Sequence, residues 1–316
     1  MQAAGAPDSA GFGLLVLTRR LLRAFTLAYI PFGPGFDPVV GRGEFLSTLA
    51  RALRPQLPRG TFLLRFDLPW EKSGEAPAWS RGRPRVGKSP DDIQPPDTVV
   101  VDISPPLDRV LASMKQKTRY NVRLAAKKGV DVREGGPGDL DAWYALYRET
   151  GARDRIAIHS ASYYRGLFAL ARGYEGRGPS VKLFLAGCEG ELLAGNIVAF
   201  WKSRAAYMYG ASSGEKRNVM PTYALQWETM RAAKEAGCLT YDLSGIPPEP
   251  DAGHPMHGLY RFKTGFSERI LRRWGTWDAP YSPALHAGYR TAESVRMFLL
   301  RSARKRLGRR GNAGAG

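Results

Sequence analysis

A lysine flanked by aromatic residues is the side chain best suited to chemistry in this sequence. Lys263 follows Phe262 and precedes Phe266 in residues 259–266, LYRFKTGF, about twenty residues after the strand-like segment YDLSGI at residues 241–246. A cation between aromatic rings, beyond a strand end and a Gly/Pro loop, suits a cleft for an anionic substrate with rings that stack. The pattern therefore predicts a nucleotide or RNA ligand.

Other reactive side chains give weaker signals. Asp102 and Asp242 each follow an apolar strand-like run, which makes them candidate general bases or structural acceptors. His254 and His257 lie with Asp251 in a Pro/Gly loop, without the helical i, i+4 spacing of a metal site, so we expect no metal. Covalent nucleophilic and nucleotide-hydrolysing mechanisms have no supporting motif, and we expect no cofactor.

The charge of the chain predicts a polyanionic partner. It has 47 Lys and Arg against 29 Asp and Glu, a formal net charge of +18. Residues 115–133 hold seven basic residues against one acidic, and residues 261–310 hold thirteen against three. Nucleic acid and an anionic membrane surface both fit such a charge. The two cysteines, Cys188 and Cys238, lack the spacing of a disulfide framework or zinc site and indicate a reducing compartment.

The elements of the first third can be predicted from periodicity and turn residues. Residues 12–30 and 61–68 have the pattern of strands, and residues 43–54 that of a short helix. Three arginines interrupt the apolar stretch at residues 12–32, which we interpret as core and not as a membrane span. Residues 71–97 are rich in Pro, Gly, Ser and charge, which predicts a long surface loop.

A basic helix is predicted after a β-branched strand at residues 98–103. Apolar residues recur at i, i+3, i+4 and i+7 from Leu107 to Met114, and we expect one helix to continue from there to Gly129. Its surface carries four basic residues: Lys115, Lys117, Arg119 and Arg123.

The rest of the chain has the element order of an acyltransferase domain of the N-acetyltransferase type. Two helices are followed by three strands within residues 181–211, then a helix from Pro221 to Gly237 and a strand at residues 239–243. We therefore predict an α/β (α+β) fold with an acetyltransferase-like (GNAT-type) domain in this part of the chain.

The loop that would bind the pyrophosphate of acetyl-CoA in such a domain is unusual. Residues 213–222 lack the expected Gly-x-Gly/Ala, and Val219 and Met220 bring side chains where backbone amides would approach a phosphate. Pro221 has no amide to donate. This predicts the same fold with a different acyl donor.

Five segments together resemble the Fem-type peptidoglycan bridge aminoacyltransferases. They are AYIPFGP at residues 28–34, KQKTRYNVRLA at 115–125, YMYGAS at 207–212, YDLSGI at 241–246 and YRFK at 260–263. The likeness runs from about residue 28 to about residue 278. It implies tandem acetyltransferase-like domains and transfer of an amino acid from aminoacyl-tRNA to the side-chain amine of a cell-wall stem peptide. Family members usually have a further strand and helix before the Gly-Pro segment, so we expect either that the first domain is abbreviated or that the true start lies upstream. The long helical hairpin of some members is also lacking.

The resemblance implies catalytic roles for Lys263 and Phe262. The lysine would stabilise the tetrahedral species or the tRNA acceptor end, with the phenylalanine ring stacking nearby. The alternative is a surface lysine between two core aromatics.

The resemblance also implies substrate-binding roles. Arg153 matches the segment whose arginine holds the acceptor's phosphates, and its alternative is a solvated loop arginine. Tyr209 and Tyr207, expected on one face of a strand, are suited to hydrogen-bond the acceptor or to pack in the core. The basic residues of the predicted helix, 115, 117, 119 and 123, are expected to contact tRNA phosphates, with a merely solvated face as the alternative.

Domain limits and partners complete the expectations. We predict a first domain at residues 1–106, a second at 107–265, a segment at 266–300 that returns to the first domain, and a basic tail at 301–316. The expected partners of a cytoplasmic monomer are aminoacyl-tRNA and a UDP-linked or lipid-linked muramyl peptide. A basic amphipathic helix within residues 290–310 is suited to contact the anionic inner face of the membrane, or tRNA. The rival hypotheses are an acyltransferase of the same fold with another donor, such as acyl-CoA, and a non-catalytic basic protein that binds RNA or membrane.

Overall fold

A computed structural model describes residues 13–21, 24–73, 83–154, 156–247 and 256–295 of the chain. The chain divides into two compact units, one of Met1–Pro96 with Arg273–Gly316 and the other of Asp97–Arg272. The domain limits predicted above stay predictions. The basic tail, most of the predicted C-terminal amphipathic helix, Asp251 and His254 lie outside the described residues.

The elements follow one another along the chain as strands β1–β12 and helices α1–α8. In the first third these are β1 Leu17–Leu21, β2 Phe25–Ile30, α1 Arg42–Leu53, β3 Thr61–Glu71, β4 Gly87–Lys88 and β5 Thr98–Asp102. The middle holds α2 Leu107–Ser113, α3 Gln116–Lys127, β6 Asp131–Gly135, α4 Leu140–Asp154, α5 Ala161–Gly173, β7 Ser180–Cys188 and β8 Glu191–Trp201. The last third holds β9 Arg204–Ser212, α6 Pro221–Glu235, β10 Thr240–Gly245, α7 His257–Phe266, β11 Ile270–Leu271, β12 Arg273–Pro280 and α8, residues 283–295.

The first unit is built on a five-stranded sheet with the order β1-β2-β3-β12-β4. Strand β12, from the end of the chain, lies between β3 and β4 and pairs antiparallel with both. Helix α1 buries Leu46 and Ala50 against the sheet residues Ile30, Leu64 and Phe66. This apolar contact removes the helix face from water and holds it on the sheet.

The second unit is built on a seven-stranded sheet with the order β11-β5-β10-β9-β8-β7-β6. Helices α2, α6 and α7 bury side chains in one core cluster, and α4 and α5 bury theirs in another. All strand pairs of this sheet are antiparallel except β9 with β10, which pair parallel only over residues 204–206 and 240–242. The mixed α/β class predicted from the sequence is confirmed.

The helix predicted from Leu107 to Gly129 is two helices, so that expectation was wrong. The backbone is extended at Met114 and Lys115, with ψ of 157° and 146°, between α2 and α3. The Arg119 guanidinium reaches back and donates to the carbonyl oxygens of Ala112 and Met114. It thereby satisfies carbonyls that the end of α2 leaves without an intrahelical partner.

Within the described ranges, no helix combines the length and the apolar character that crossing a bilayer requires.

Candidate functional site

Lys263 is buried where strands β9 and β10 part. Its side chain comes from α7, only 4% of the residue is exposed, and Nζ donates to the carbonyl oxygens of Gly245 at 2.8 Å and Ser244 at 3.3 Å. The alternative of a surface lysine is therefore wrong. Among the described residues, no third acceptor takes the remaining proton of the ammonium group.

Burial changes the acidity of this lysine. Removal from water lowers the pKa of Lys263 to about 8, and the carboxylate of Asp242 offsets only part of the shift. The ammonium nitrogen also lies 5.6 Å from the centre of the Tyr207 ring, a favourable position for a cation. A lysine of this pKa is mainly charged at neutral pH and can release its proton more readily than an exposed lysine.

The backbone of Ser244 directs two carbonyl groups at Lys263. Ser244 has φ of +59°, in the left-handed region, and the pairing of β10 with β5 is irregular between Asp242 and Gly245. The Ser244 hydroxyl donates to the carbonyl of Tyr207, and its amide donates to Asp242 Oδ1 at 2.7 Å. A residue other than glycine in this conformation is strained, and such strain persists only where neighbouring contacts hold it. No simple sequence signal singles out Ser244, because serine ordinarily avoids this conformation.

The two aspartates considered as general bases both serve as acceptors for nearby groups. Asp242 accepts from the Thr98 hydroxyl as well as from the Ser244 amide. Asp102 is exposed and accepts from the amide of Ser104 at 2.9 Å and from its hydroxyl at 2.6 Å; these bonds lower the pKa of Asp102. Asp102 therefore stabilises a turn, whereas Asp242 lies beside Lys263 and holds the irregular segment of β10.

Phe262 is half-buried in an aromatic cluster beside the lysine. Its ring centroid lies 5.0 Å from that of Tyr223, at the start of α6, and 5.2 Å from that of Phe266, both in edge-to-face geometry. Such pairs stabilise the core and hold the ring in one orientation. The cluster fixes α7 against α6 and so fixes the direction from which Lys263 enters.

Tyr207 and Tyr209 do not share a face of β9, so that expectation was wrong. In the pairing with β8, Ile197 lies opposite Tyr209 but Val198 lies opposite Tyr207, which leaves Met208 as an extra residue. This β-bulge reverses the alternation of side chains. Tyr207 packs against the core under α6 and α7, and Tyr209 against the core under α4 and α5.

The two tyrosines consequently have different surroundings. Tyr207 joins the lysine site, and its hydroxyl lies so close to Gly210 that a Cβ there would be 1.7 Å away. The Tyr209 hydroxyl shares a hydrogen bond of 3.0 Å with that of Tyr163. Burial raises the pKa of both phenols, so each remains a neutral donor at physiological pH.

Arg153 is held at the end of β9. Its Nη1 donates to the carbonyl of Ser212 at 2.7 Å, its Nη2 to the Ser212 hydroxyl at 3.0 Å, and its Nε to Asp154 at 2.9 Å. The side chain is 33% exposed. Its guanidinium is therefore anchored by protein groups and has one partly exposed side.

The basic residues of α3 adjoin the helix that carries Lys263. The amide of Lys115 donates to the carbonyl of Gly265 at 2.9 Å, which ties the start of α3 to the end of α7. Lys115, Lys117 and Arg123 are exposed, while Arg119 is half-buried and bonded to α2. Among the described residues, none of these four side chains forms an ion pair.

The loop between β9 and α6 holds a protein carboxylate where an acetyl-CoA enzyme would hold a phosphate. Glu149 Oε1 accepts from the amide of Gly214 at 2.7 Å and from the Ser213 hydroxyl at 3.4 Å. Lys216 pairs with Glu189 at 2.8 Å. These contacts occupy both the amide and the cation that would otherwise attract a pyrophosphate.

Metal-ligating side chains are scattered in this fold. Across the described ranges, no three His, Cys, Asp or Glu side chains lie close enough together to hold a metal ion. His257 starts α7, and its buried Nδ1 has no hydrogen-bond partner in the part of the chain that the structure describes.

Comparison with known proteins adds a family and a fold. The model of the FemAB family matches residues 86–171 and 184–294. The lipid II:glycine glycyltransferase of Staphylococcus epidermidis is 24% identical over 275 residues, which are 69% of this chain and 65% of that protein. The enzyme of the same name from Staphylococcus aureus is 25% identical over 280 residues, 69% of this chain and 66% of that protein. The chain thus spans slightly less than two thirds of the length of these relatives.

Two solved structures share the fold. The crystal structure of FemX has a TM-score of 0.76 at 22% identity and covers 91% of this chain and 89% of its own. The C-terminal domain of a putative lysylphosphatidylglycerol synthetase from Agrobacterium fabrum has a TM-score of 0.52 at 14% identity, with 89% and 84% covered. At these identities the likeness shows the fold alone.

Proposed function

This chain belongs to the FemAB family, and on that premise we propose that it is a tRNA-dependent aminoacyltransferase. It moves an amino acid from aminoacyl-tRNA to the side-chain amine of the stem peptide of a peptidoglycan precursor. The relatives named lipid II:glycine glycyltransferase support transfer to such an acceptor. The observation that carries the proposal is the buried Lys263. Burial lowers the pKa of its ammonium group, and hydrogen bonds to two backbone carbonyls fix the position of that group.

The reaction requires positioning and charge stabilisation more than a strong nucleophile. The acceptor amine attacks the carbonyl carbon of the aminoacyl ester, the tetrahedral intermediate collapses, and the bond to the ribose oxygen breaks. The amine loses a proton and the ribose oxygen gains one. A fixed cation stabilises the developing oxyanion, and holding the reactants together lowers the entropic barrier.

Lys263 is suited to both electrostatic demands of this reaction. With a pKa of about 8 it is mainly charged at pH 7, so it can stabilise negative charge on the intermediate or on the leaving oxygen. The same lowered pKa makes transfer of its proton to the ribose oxygen less costly than from an ordinary lysine. Phe262 holds the helix in place and is suited to contact the terminal base of the tRNA.

Acceptor binding is proposed for Arg153, Tyr209 and Tyr207. Arg153 would offer the partly exposed side of its guanidinium to the acceptor's phosphates, for which the planar fork of arginine is well shaped. Tyr209 is suited to hydrogen-bond the stem peptide. Tyr207 is suited to position the reacting groups because its ring contacts Lys263.

The tRNA is proposed to contact the basic surface of α3. Lys115, Lys117 and Arg123 are exposed and without acidic partners among the described residues, which suits contacts to phosphates. Arg119 is expected to act mainly as a brace between α2 and α3. The link between Lys115 and Gly265 places this surface next to the helix that carries Lys263.

The form of the acceptor and the place of action follow from the same proposal. The names of the relatives favour the lipid-linked muramyl peptide over the UDP-linked one. We therefore propose action in the cytoplasm at the inner face of the membrane, with no cofactor. The acyl-CoA rival is disfavoured because Glu149 occupies the Gly214 amide.

The test is a transfer assay with purified protein. Total tRNA charged with labelled amino acids is combined with a UDP-linked or a lipid-linked muramyl pentapeptide, and the mass of the acceptor is measured. We expect the acceptor to gain one amino-acid residue or more. Lys263→Met should abolish the gain while tRNA binding persists; Lys182→Met, an exposed lysine on β7 of the same unit, is the matched control.

The outcomes separate the hypotheses. A gain from acyl-CoA but not from charged tRNA would establish the rival donor. Binding of tRNA without any transfer, by correctly folded protein and with either acceptor, would favour the non-catalytic hypothesis. Full activity of Lys263→Met would refute the role given to the lysine.

A further inference from the structure

A cleft lies within the first unit, apart from the residues of the proposed site. Its volume is about 850 Å³, and its walls come from the segment around β4, from the end of β12 and from α8. Its exposed lining residues include four basic ones, which form the rim: Arg83, Arg85, Lys88 and Arg290. The other lining residues are Pro84, Gly87, Asp278, Pro280, Tyr281, Pro283 and His286. The catalytic and substrate residues proposed above all belong to the other unit.

The acidic residue on the floor of this cleft is neutralised. Asp278 is buried and accepts from Arg65 Nε at 2.6 Å and Nη2 at 2.9 Å, and its Oδ2 is 3.0 Å from His286 Nε2. Burial alone would raise the pKa of Asp278, but the hydrogen bonds from His286 and Arg65 outweigh it and hold that pKa low. Arg65 also pairs with Glu293 at 3.4 Å, so one buried guanidinium is shared by two carboxylates. The positive charge of the cleft therefore lies on its exposed arginines.

Three of the arginines at the rim are exposed to solvent. Arg83, Arg85 and Arg290 form no ion pair among the described residues and are exposed to solvent. The fourth rim cation, Lys88, pairs with Asp92. Three guanidinium groups without an acidic partner among the described residues, two just before β4 and one on α8, make the cleft strongly attractive to phosphate groups.

The inside of the cleft is rigid and largely apolar. Pro84, Pro280 and Pro283 have restricted backbones, and the Tyr281 hydroxyl donates to the Ala50 carbonyl at 2.6 Å. The Arg54 guanidinium lies 5.0 Å from the centre of the Tyr281 ring. Fixed apolar walls between charged rims suit a ligand that has sugar or base surfaces between its phosphates.

The position of the cations decides between kinds of partner. A site for one small phosphate group ordinarily encloses it with buried donors, but these arginines are at the exposed rim. A bilayer surface is flat and cannot enter a concave cleft between the two segments. An RNA strand is narrow, carries a phosphate at each nucleotide, and can run along the cleft with phosphates against both rims.

We propose that this cleft of the first unit binds the phosphate backbone of the donor tRNA. The inference rests on the proposed function, because that function makes tRNA a substrate, and it adds a binding surface apart from α3. Residues 296–316, which follow α8 in the sequence, contain seven Lys and Arg and no Asp or Glu. The chain thus continues with further cations directly after the helix that carries Arg290.

The test uses two triple variants with the same change of net charge. The cleft variant is Arg83→Ala, Arg85→Ala and Arg290→Ala; the control is Arg19→Ala, Arg20→Ala and Arg59→Ala, three exposed arginines of the same unit that do not line the cleft. Affinity for fluorescent uncharged tRNA is measured by anisotropy over a series of KCl concentrations. Thermal unfolding confirms that both variants are folded.

We expect the cleft variant to bind tRNA at least about tenfold more weakly and the control to bind within about twofold of the original protein. The slope of log affinity against log salt should fall by about 0.7 to 0.9 for each phosphate that the variant no longer neutralises, hence by roughly two or more in the cleft variant. Equal losses of affinity in both variants would show an effect of net charge alone and overturn the proposal. Unchanged tRNA affinity together with weakened binding to phosphatidylglycerol vesicles would overturn it in favour of a membrane surface.

Transfer kinetics separate this proposal from the proposed function. The cleft variant should raise the KM for charged tRNA and leave kcat unchanged, while transfer from a short aminoacylated oligonucleotide that lacks the tRNA body stays as in the original protein. If the original protein transfers and the cleft variant keeps its KM for tRNA, the cleft proposal fails and the function stands. If the original protein binds tRNA through the cleft but transfers no amino acid, the cleft proposal stands and the proposed function fails.

Discussion

Replacing Lys263 by methionine should change how the stability of the protein depends on pH. Burial lowers the folded-state pKa of Lys263 from 10.5 to about 8. At about 1.36 kcal/mol per pKa unit, the charged form costs the folded state roughly 3 kcal/mol. Only 4% of the residue is exposed, so solvent screening reduces this figure little.

The direction of the effect follows from proton binding. Between pH 8 and 10.5 the folded protein has lost the proton of Lys263, whereas the unfolded chain still holds it. Stability therefore rises with pH across this window, and below pH 8 the full cost of the buried charge remains. Methionine has a similar length and no charge, so Lys263→Met lacks this contribution at every pH.

The assay is urea unfolding of both proteins at several pH values from about 7 to about 10. The difference in unfolding free energy, original protein minus Lys263→Met, should increase by about 2 to 3 kcal/mol over this range. Titrations elsewhere in the chain are common to both proteins and cancel in the difference. The exposed Lys182→Met serves as the control. A flat difference for Lys263→Met, or an equal trend in the control, would refute the assignment of a buried ammonium group.

Substitutions at Gly210, Ser244 and Arg153 test other parts of the proposed site. Gly210→Ala places a carbon 1.7 Å from the Tyr207 hydroxyl and should lower the free energy of unfolding by about 1 to 3 kcal/mol, measured in urea. The control is Gly166→Ala in α5, where the new carbon meets no atom within 4 Å and should raise the free energy of unfolding by roughly 0.5 to 1 kcal/mol. Ser244→Gly accepts the positive φ and should keep transfer within about threefold, but Ser244→Val should lower kcat about tenfold or more; equal activities would contradict the role given to the bent backbone. Arg153→Ala should raise the KM for the muramyl acceptor about tenfold at unchanged kcat, and Arg153→Lys should not restore it; an unchanged KM would exclude the proposed phosphate contact.

Local sequence patterns were sufficient to predict the fold class and to single out Lys263 as a candidate site residue. Apolar periodicity and turn residues predicted the helix that starts at Pro221 and five of the seven strands of the second unit, because these signals act between residues that are near in sequence. The short strands β6 and β11 were not predicted. Phe262 and Phe266, the aromatic residues that drew attention to Lys263, likewise lie within a few positions of it. The break between α2 and α3 was not predicted, because no proline or glycine marks it between Leu107 and Lys128.

The arrangement of the site was decided by contacts between distant segments. The bulge at Met208 comes from the pairing of β9 with β8, and it separates Tyr207 from Tyr209 although simple alternation puts them on one face. The left-handed Ser244 depends on Tyr207 and Asp242, and the burial that lowers the pKa of Lys263 depends on the packing of α7. By itself the sequence determined which residue types are present and which elements they form, because propensity and periodicity are local. Only the tertiary structure decided the face, the exposure and the proton affinity of each side chain, because these depend on neighbours brought together by folding.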